Sequence, residues 1–246
     1  MKSNEDDLRL CVIRQLLTEG WKREDIRLEI PMCTASSGGR ADIVCLSDKY
    51  IGAIELKSGK DKYCPNSIKE QCKPYLRAFD YCGIVVDSVH HEIITRKKNG
   101  RESRNDNFSD VDLVYYHSCY RPELSRFKSD PNLNDKYCEQ ITKHLFQKHW
   151  GRSKSRNLSV YDMASVLWAD ELREAFKSKG TKSSLEIYAR DSMGVAPFRP
   201  ILLKALRERP LNEWELSFWK KFDAIDWPID NLKAALEDEG EDNADT

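Results

Sequence analysis

The chain has no run of about 18 apolar residues, the length a helix needs to cross a bilayer. Its opening, MKSNEDDLRL, is acidic and lacks the apolar stretch of a secretion signal. The expectation is a soluble, cytoplasmic protein with no membrane partner. A CxxC pair is also missing: Cys11, Cys33, Cys45, Cys64, Cys72, Cys82, Cys119 and Cys138 are scattered. A chain of 246 residues can bury enough core to do without disulfides. The cysteines read as reduced thiols, with Cys45 and Cys82 acting as small hydrophobes inside apolar runs, and their spacing is too loose for an iron–sulfur cluster. The absence of a Gly-rich phosphate loop removes the usual sign of ATP use. Nor is there an excess of charge of one sign. The net charge is -1 with 33% charged residues, so any contact with a polyanion must come from a local basic patch. Acids crowd residues 237–246, which read as a disordered tail, and the remainder is slightly basic.

What is present is strongly patterned. Leu8, Cys11, Val12, Leu16 and Leu17 recur at helical spacing from Asp6 to Leu17, behind acids that suit a helix N-terminus, and Gly20 ends the run. An extended stretch at Asp25 to Pro31 is followed by turn-prone residues to Gly39. Two apolar runs, Ala41 to Leu46 and Tyr50 to Leu56, then flank the polar link Ser47-Asp48-Lys49 and predict an antiparallel hairpin. A helix is expected from Ser67 to Tyr81, with Ile68, Cys72, Tyr75, Leu76 and Phe79 on one face. Pro74 predicts either a kink or a helix that starts around it. Gly83 to Val86 reads as a buried strand. The order helix, strand, strand, strand, helix, strand defines an α/β core over residues 1–118.

Beyond it, Thr95 to Asp110 shows no apolar period and predicts loop or disorder, and Val111 to Tyr116 predicts a strand. Residues 119–158 read as a linker or insertion with some helix. Residues 159–236 read as a helical region with Met163, Val166, Leu167, Leu172 and Phe176 in one element, Ile201 to Leu206 in a second, and Trp214, Leu216, Phe218 and Trp219 in a third. Trp168, Trp214, Trp219 and Trp227 are expected to pack these helices, and His90 and His91 to lie on the surface.

The chemistry concentrates in Arg40-Ala41-Asp42-Ile43-Val44 and Ile54-Glu55-Leu56-Lys57-Ser58. Alternate side chains of a strand share a face, so Glu55 and Lys57 point one way and Ile54 and Leu56 the other. The hairpin brings Asp42 beside the end of the second strand, and three ionisable groups converge. Two carboxylates on adjacent strands suit Mg²⁺, which takes one or two protein carboxylates along with water and phosphate. The backbone carbonyl of Leu56 is a natural third ligand. Such a cation polarises a phosphoryl oxygen and lowers the pKa of a bound water. Lys57 either positions and helps deprotonate that water or stabilises the transition state as a cation. The competing structural reading is an exposed surface ion-pair network, but a carboxylate between the apolar runs Ile51 to Ile54 and Leu56 is costly to bury without a compensating cation.

Gly39-Arg40-Ala41-Asp42-Ile43-Val44 followed by Ala53-Ile54-Glu55-Leu56-Lys57 resembles the PD-(D/E)XK nuclease superfamily, with Ala41 where many members have proline. The resemblance covers about a third of the chain. It implies a restriction-endonuclease-like core with a mixed sheet and Mg²⁺- or Mn²⁺-dependent hydrolysis of phosphodiester bonds in DNA. Asp42 and Glu55 would be metal ligands and Lys57 the catalytic lysine. Gln71 and Tyr75, four apart on one helix face, resemble the QxxxY motif of RecB-like members, where both face the active site; the alternative is a core Tyr75 and a solvated Gln71. Glu29, and Glu5 or Asp7 in the first helix, match the place of a further metal ligand in many members. The whole also resembles a group of poorly characterised bacterial proteins that join this core to a helical tail with a Leu-Trp-x-x-Glu-Leu pattern, here Leu167 to Leu172.

Arg40, Ser58, Lys60 and Lys62 flank the catalytic strands as candidate DNA contacts, with Lys69 nearby, although a solvated loop explains these lysines equally. Lys97, Lys98 and Arg101, in the basic run Arg96 to Arg104, are candidates for a DNA-contacting loop. The helical region is a candidate surface for a homodimer or a protein partner. Two other readings stand beside the nuclease: a catalytically silent nucleic-acid-binding module of the same fold, and a scaffold that pairs through its C-terminal helices.

Overall fold

Three acids, Glu5, Asp6 and Asp7, open helix α1 (Glu5–Thr18) at the positive end of its dipole, and Gly20, at φ 89°, releases the chain from it. The computed structural model describes residues 5–34, 37–58, 65–87, 95–98, 101–104, 113–117 and 158–225. After one turn of 3₁₀ helix come strands β1 (Ile26–Thr34), β2 (Ser37–Leu46) and β3 (Ile51–Lys57), then α2 (Pro65–Ala78) and β4 (Tyr81–Asp87). This is the order expected from the sequence. The β2–β3 hairpin is antiparallel, and its link is tied by the Tyr50 amide donating to Ser47 Oγ at 2.9 Å. Helix α2 runs through Pro74 and therefore does not start there. It starts at Pro65, where the missing N–H costs nothing.

The sheet is mixed, with β1, β2, β3 and β4 side by side in that order and a fifth strand beyond β4. The strand expected at Val111 to Tyr116 is β7 (Leu113–His117), which lies parallel to β4, as β4 does to β3. The loop expected over residues 95–110 needs correction. Thr95–Lys98 (β5) and Arg101–Arg104 (β6) form an antiparallel hairpin with Lys98 opposite Arg101. The two residues between them in the sequence are Asn99-Gly100, the pair that two-residue hairpins favour. The strands are so polar that the usual apolar alternation is missing. Residues 119–157, His90, His91, Trp227 and the acidic tail lie outside the described residues.

The C-terminal region is helical, as expected, but more divided. It comprises α3 (Val160–Ser165), α4 (Ala169–Phe176), α5 (Lys182–Ser192), α6 (Val195–Glu208) and α7 (Glu213–Asp223). The single element expected from Met163 to Phe176 is two helices because Trp168 is extended, at ψ 161°. The Trp168 amide donates to Glu171 Oε2 at 2.6 Å, so the Leu-Trp-x-x-Glu-Leu pattern reads as a helix start. Helix α5, capped by the Thr181 hydroxyl accepting the Ser184 amide, was not expected. Trp219 is buried as expected, but Trp168 and Trp214 are substantially exposed, lying against the guanidinium groups of Arg209 and Arg9.

These helices share their cores with the sheet. On one face, Ile68 of α2, Phe79 just after that helix, and Ile84 and Val86 of β4 pack in one cluster with Val160, Leu172, Leu185, Phe198 and Leu202. On the other, Leu8, Val12 and Leu16 of α1 pack with Ile54, Val85, Phe218 and Phe222. Each fully buried side chain of this kind contributes about 1.5–3 kcal/mol. The α2–α3 connection is fastened by the Ser159 amide donating to the Arg77 carbonyl at 2.8 Å and by an Arg77–Asp162 ion pair at 2.9 Å. Among the described residues, no helix is long and apolar enough to cross a membrane.

Candidate active site

Two strands change sides at the site. Ile26 and Leu28 of β1 pack in the layer with α1 and α7, whereas Ile30 and Met32 pack in the layer with α2, although all four have the same parity. The switch falls at Glu29, whose φ of 52° is left-handed, a conformation that costs a non-glycine residue about 1–3 kcal/mol. Opposite it on β2 the same thing happens: Ile43 packs with α1 and α7, and Ala41 with α2. The register pairs Leu28 with Ile43 and Ile30 with Ala41, so Glu29 and Asp42 stand across from each other at the crossover.

On its other side, Asp42 comes level with Glu55 of β3. The β2–β3 pairing stops at Ile43–Ile54, and in place of the next backbone bond the Leu56 amide donates to Asp42 Oδ2 at 2.6 Å. Both carboxylates are buried, at 9% and 2% exposure. Burial, followed by the charge of Glu55, pushes the Asp42 carboxyl well above the usual carboxylate range. Lys57 Nζ lies 2.6 Å from Glu55 Oε1, and the Tyr75 hydroxyl lies 2.6 Å from Glu55 Oε2. The same hydroxyl lies 2.5 Å from the Arg40 carbonyl, which ties α2 to both strands. Burial and then the charges of Glu55 and Asp42 push the Tyr75 phenol far upward, so it stays a donor.

Arg9 also belongs to the site, with 1% exposure. Its Nη2 donates to Glu29 Oε1 at 2.5 Å and to Glu5 Oε1 at 2.6 Å, its Nη1 donates to Asp6 at 3.1 Å, and Asp42 Oδ1 lies 3.8 Å away. Carboxylate oxygens of Glu5, Glu29 and Asp42 all lie within 4.8 Å of one another. Burial raises the Glu29 carboxyl above its ordinary range, and Arg9 opposes that shift.

Asp42, Glu55, Lys57 and Tyr75 are thus brought together, with Glu29 and Glu5 beside Asp42; of the two acids expected from the first helix, Glu5 joins this cluster. Gln71 is exposed on α2, one turn before Tyr75. Arg40 is exposed at the rim, 3.8 Å from Glu29. Ser58, the residue after β3, is buried. Lys97, Lys98 and Arg101 have their backbones in the β5–β6 hairpin. Lys60 and Lys62 lie outside the described residues. Arg9 was missed by sequence reasoning, although a signal existed: with Val12, Ile13 and Leu16 it falls on the apolar stripe of α1, where an arginine needs partners. No family model, curated protein or solved structure matches the chain.

Proposed function

We propose that the chain is a metal-dependent nuclease of the PD-(D/E)XK type, hydrolysing phosphodiester bonds in DNA on a restriction-endonuclease-like core. The observation that carries this reading is the pair of buried carboxylates, Asp42 and Glu55, level with each other on adjacent strands, with Lys57 2.6 Å from Glu55. The donor set fits a hard divalent cation such as Mg²⁺ or Mn²⁺, because every candidate side-chain ligand is a carboxylate. The charges agree. Among the described residues, Asp42 and Glu55 are buried and Glu29 is mostly buried, so these acids cluster where ionising them together is costly without a cation. Asp42, Glu55 and the Leu56 carbonyl would hold the cation, with Glu29 beside Asp42. A bound cation would supply Lewis-acid activation of the phosphoryl group and of water. Lys57 holds a proton beside Glu55, from where its ammonium stabilises developing phosphoryl charge or orients the attacking water. Tyr75 orients Glu55 and is a positioning residue.

Purified protein incubated with linear, circular and single-stranded DNA in Mg²⁺ or Mn²⁺ is expected to cleave at least one substrate, and Asp42→Ala and Lys57→Ala are expected to lose that cleavage while melting cooperatively. Cleavage that survives both substitutions would refute the assignment.

One observation favours a second reading. Arg9 already brings positive charge to Glu5, Glu29 and Asp42, which suits a catalytically silent nucleic-acid-binding or partner-recruiting module of this fold. That module binds DNA without turnover in any metal.

A further inference from the structure

The C-terminal helical region touches the site through the first turn of α7. Glu215 is buried, 187 residues from its partner in sequence, and its Oε1 accepts the Leu28 amide at 3.1 Å. That amide belongs to the edge strand of the sheet, immediately before Glu29, where the backbone turns left-handed. The other oxygen, Oε2, accepts the Asn212 amide at 3.1 Å and lies 3.5 Å from Arg27 Nη2. Arg27 in turn donates to the Arg209 carbonyl at 2.7 Å. The helix start and the turn before it are therefore bolted to β1 at the residues that lead into the crossover. One residue earlier, the Trp214 ring lies 5.0 Å from Cζ of Arg9, whose Nη2 holds Glu29.

Resting on the nuclease reading, we infer that Trp214 and Glu215 are positioning residues of the metal centre: Glu215 sets the backbone that aims Glu29, and Trp214 sets the guanidinium that holds the Glu29 carboxylate. The C-terminal helices are then part of the site. Helix α7 contacts Arg9 through Trp214 and the residue before Glu29 through Glu215, so it bears on both members of the Arg9–Glu29 pair. Loss of such an outer contact typically weakens metal affinity about 10–100-fold.

Trp214 offers the cleaner test because it is 41% exposed. Mn²⁺ binding to the full-length protein is measured by calorimetry, alongside metal-free thermal denaturation, for wild type, Trp214→Ala, Trp214→Phe, Glu215→Ala and Glu215→Gln. Wild type binds Mn²⁺, and Trp214→Ala binds it at least tenfold more weakly with a melting temperature close to wild type. Trp214→Phe, which keeps a ring over Arg9, recovers most of the affinity. Glu215→Gln, which keeps an acceptor for the Leu28 amide, stays near wild type where Glu215→Ala does not. Unchanged affinity in Trp214→Ala, or no recovery in Trp214→Phe, overturns the positioning role and leaves the nuclease reading intact. Absence of Mn²⁺ binding in wild type overturns both.

Discussion

The Tyr75 hydroxyl has one proton and two acceptors, Glu55 Oε2 at 2.6 Å and the Arg40 carbonyl at 2.5 Å. Helix α2 is thereby joined to the buried carboxylate of β3 and to the backbone of β2 two residues before Asp42. Tyr75→Phe keeps the ring in the core and removes the only group in that link. It leaves a buried carboxylate oxygen with one partner fewer, and it is expected to cost about 1–3 kcal/mol in urea denaturation. In the nuclease reading it also lowers the cleavage rate without abolishing it. A stability equal to wild type would show that the two short contacts contribute nothing.

The pH dependence of the metal-free fold follows from Asp42. Burial and the charge of Glu55 raise its carboxyl in the fold, so between the unfolded value, about 4, and the folded one the native state binds more protons. The contribution is fully present below the unfolded value and is lost as pH rises through the folded one. Metal-free thermal stability should therefore fall with rising pH across that window, and less so in Asp42→Asn. A divalent cation, which binds the ionised form, should reverse the slope. Melts at stepped pH with and without Mn²⁺ check this; identical slopes in wild type and Asp42→Asn would rule it out.

Arg9 is held by partners of different exposure, Glu29 mostly buried and Glu5 and Asp6 near the surface. Arg9→Met keeps the stem volume and strands Glu29 in a low-dielectric place. Removing one partner of a buried pair costs about 3–5 kcal/mol, and the exposed partners bring the expectation here to the lower end, about 3 kcal/mol. Equilibrium unfolding measures it, and a loss below about 0.5 kcal/mol would mean that the carboxylates do not depend on Arg9.

Glu171 joins two functions in one side chain. It accepts the Trp168 amide at 2.6 Å and takes Arg209 in a two-pronged pair at 2.6 and 2.7 Å. Arg209 is buried, so Glu171→Ala leaves an enclosed cation in addition to an uncapped α4. The expected loss is about 3 kcal/mol or more, read as a lowered melting temperature. In the nuclease reading, if the pattern is a helix start, DNA cleavage per folded molecule should be unchanged.

Much of this was legible in local pattern. The helical period of α1, the two apolar runs around Ser47-Asp48-Lys49, and the alternation that sets Glu55 and Lys57 on one side of β3 all follow from periods of 3.6 and 2, and the structure contains each of them. Asp42, Glu55 and Lys57 could be singled out because charges inside apolar runs break that pattern. The β5–β6 hairpin and the division at Trp168 were not foreseen. There the informative residues were a turn pair and a capping glutamate, which carry no period.

The sequence alone determined which segments are helix and strand through most of the core, and which three charged residues share the end of one hairpin, since both depend on neighbours a few positions apart. Only the tertiary structure decided that β1 and β2 cross from one layer to the other at Glu29 and Asp42. In the sequence, Ile26, Leu28, Ile30 and Met32 form an unbroken alternation that predicts one face. It also decided that Arg9 lies among the acids and that α7 reaches Leu28 and Arg9. These are contacts between segments far apart in the chain, and they arise because buried charges must find partners wherever the fold places them.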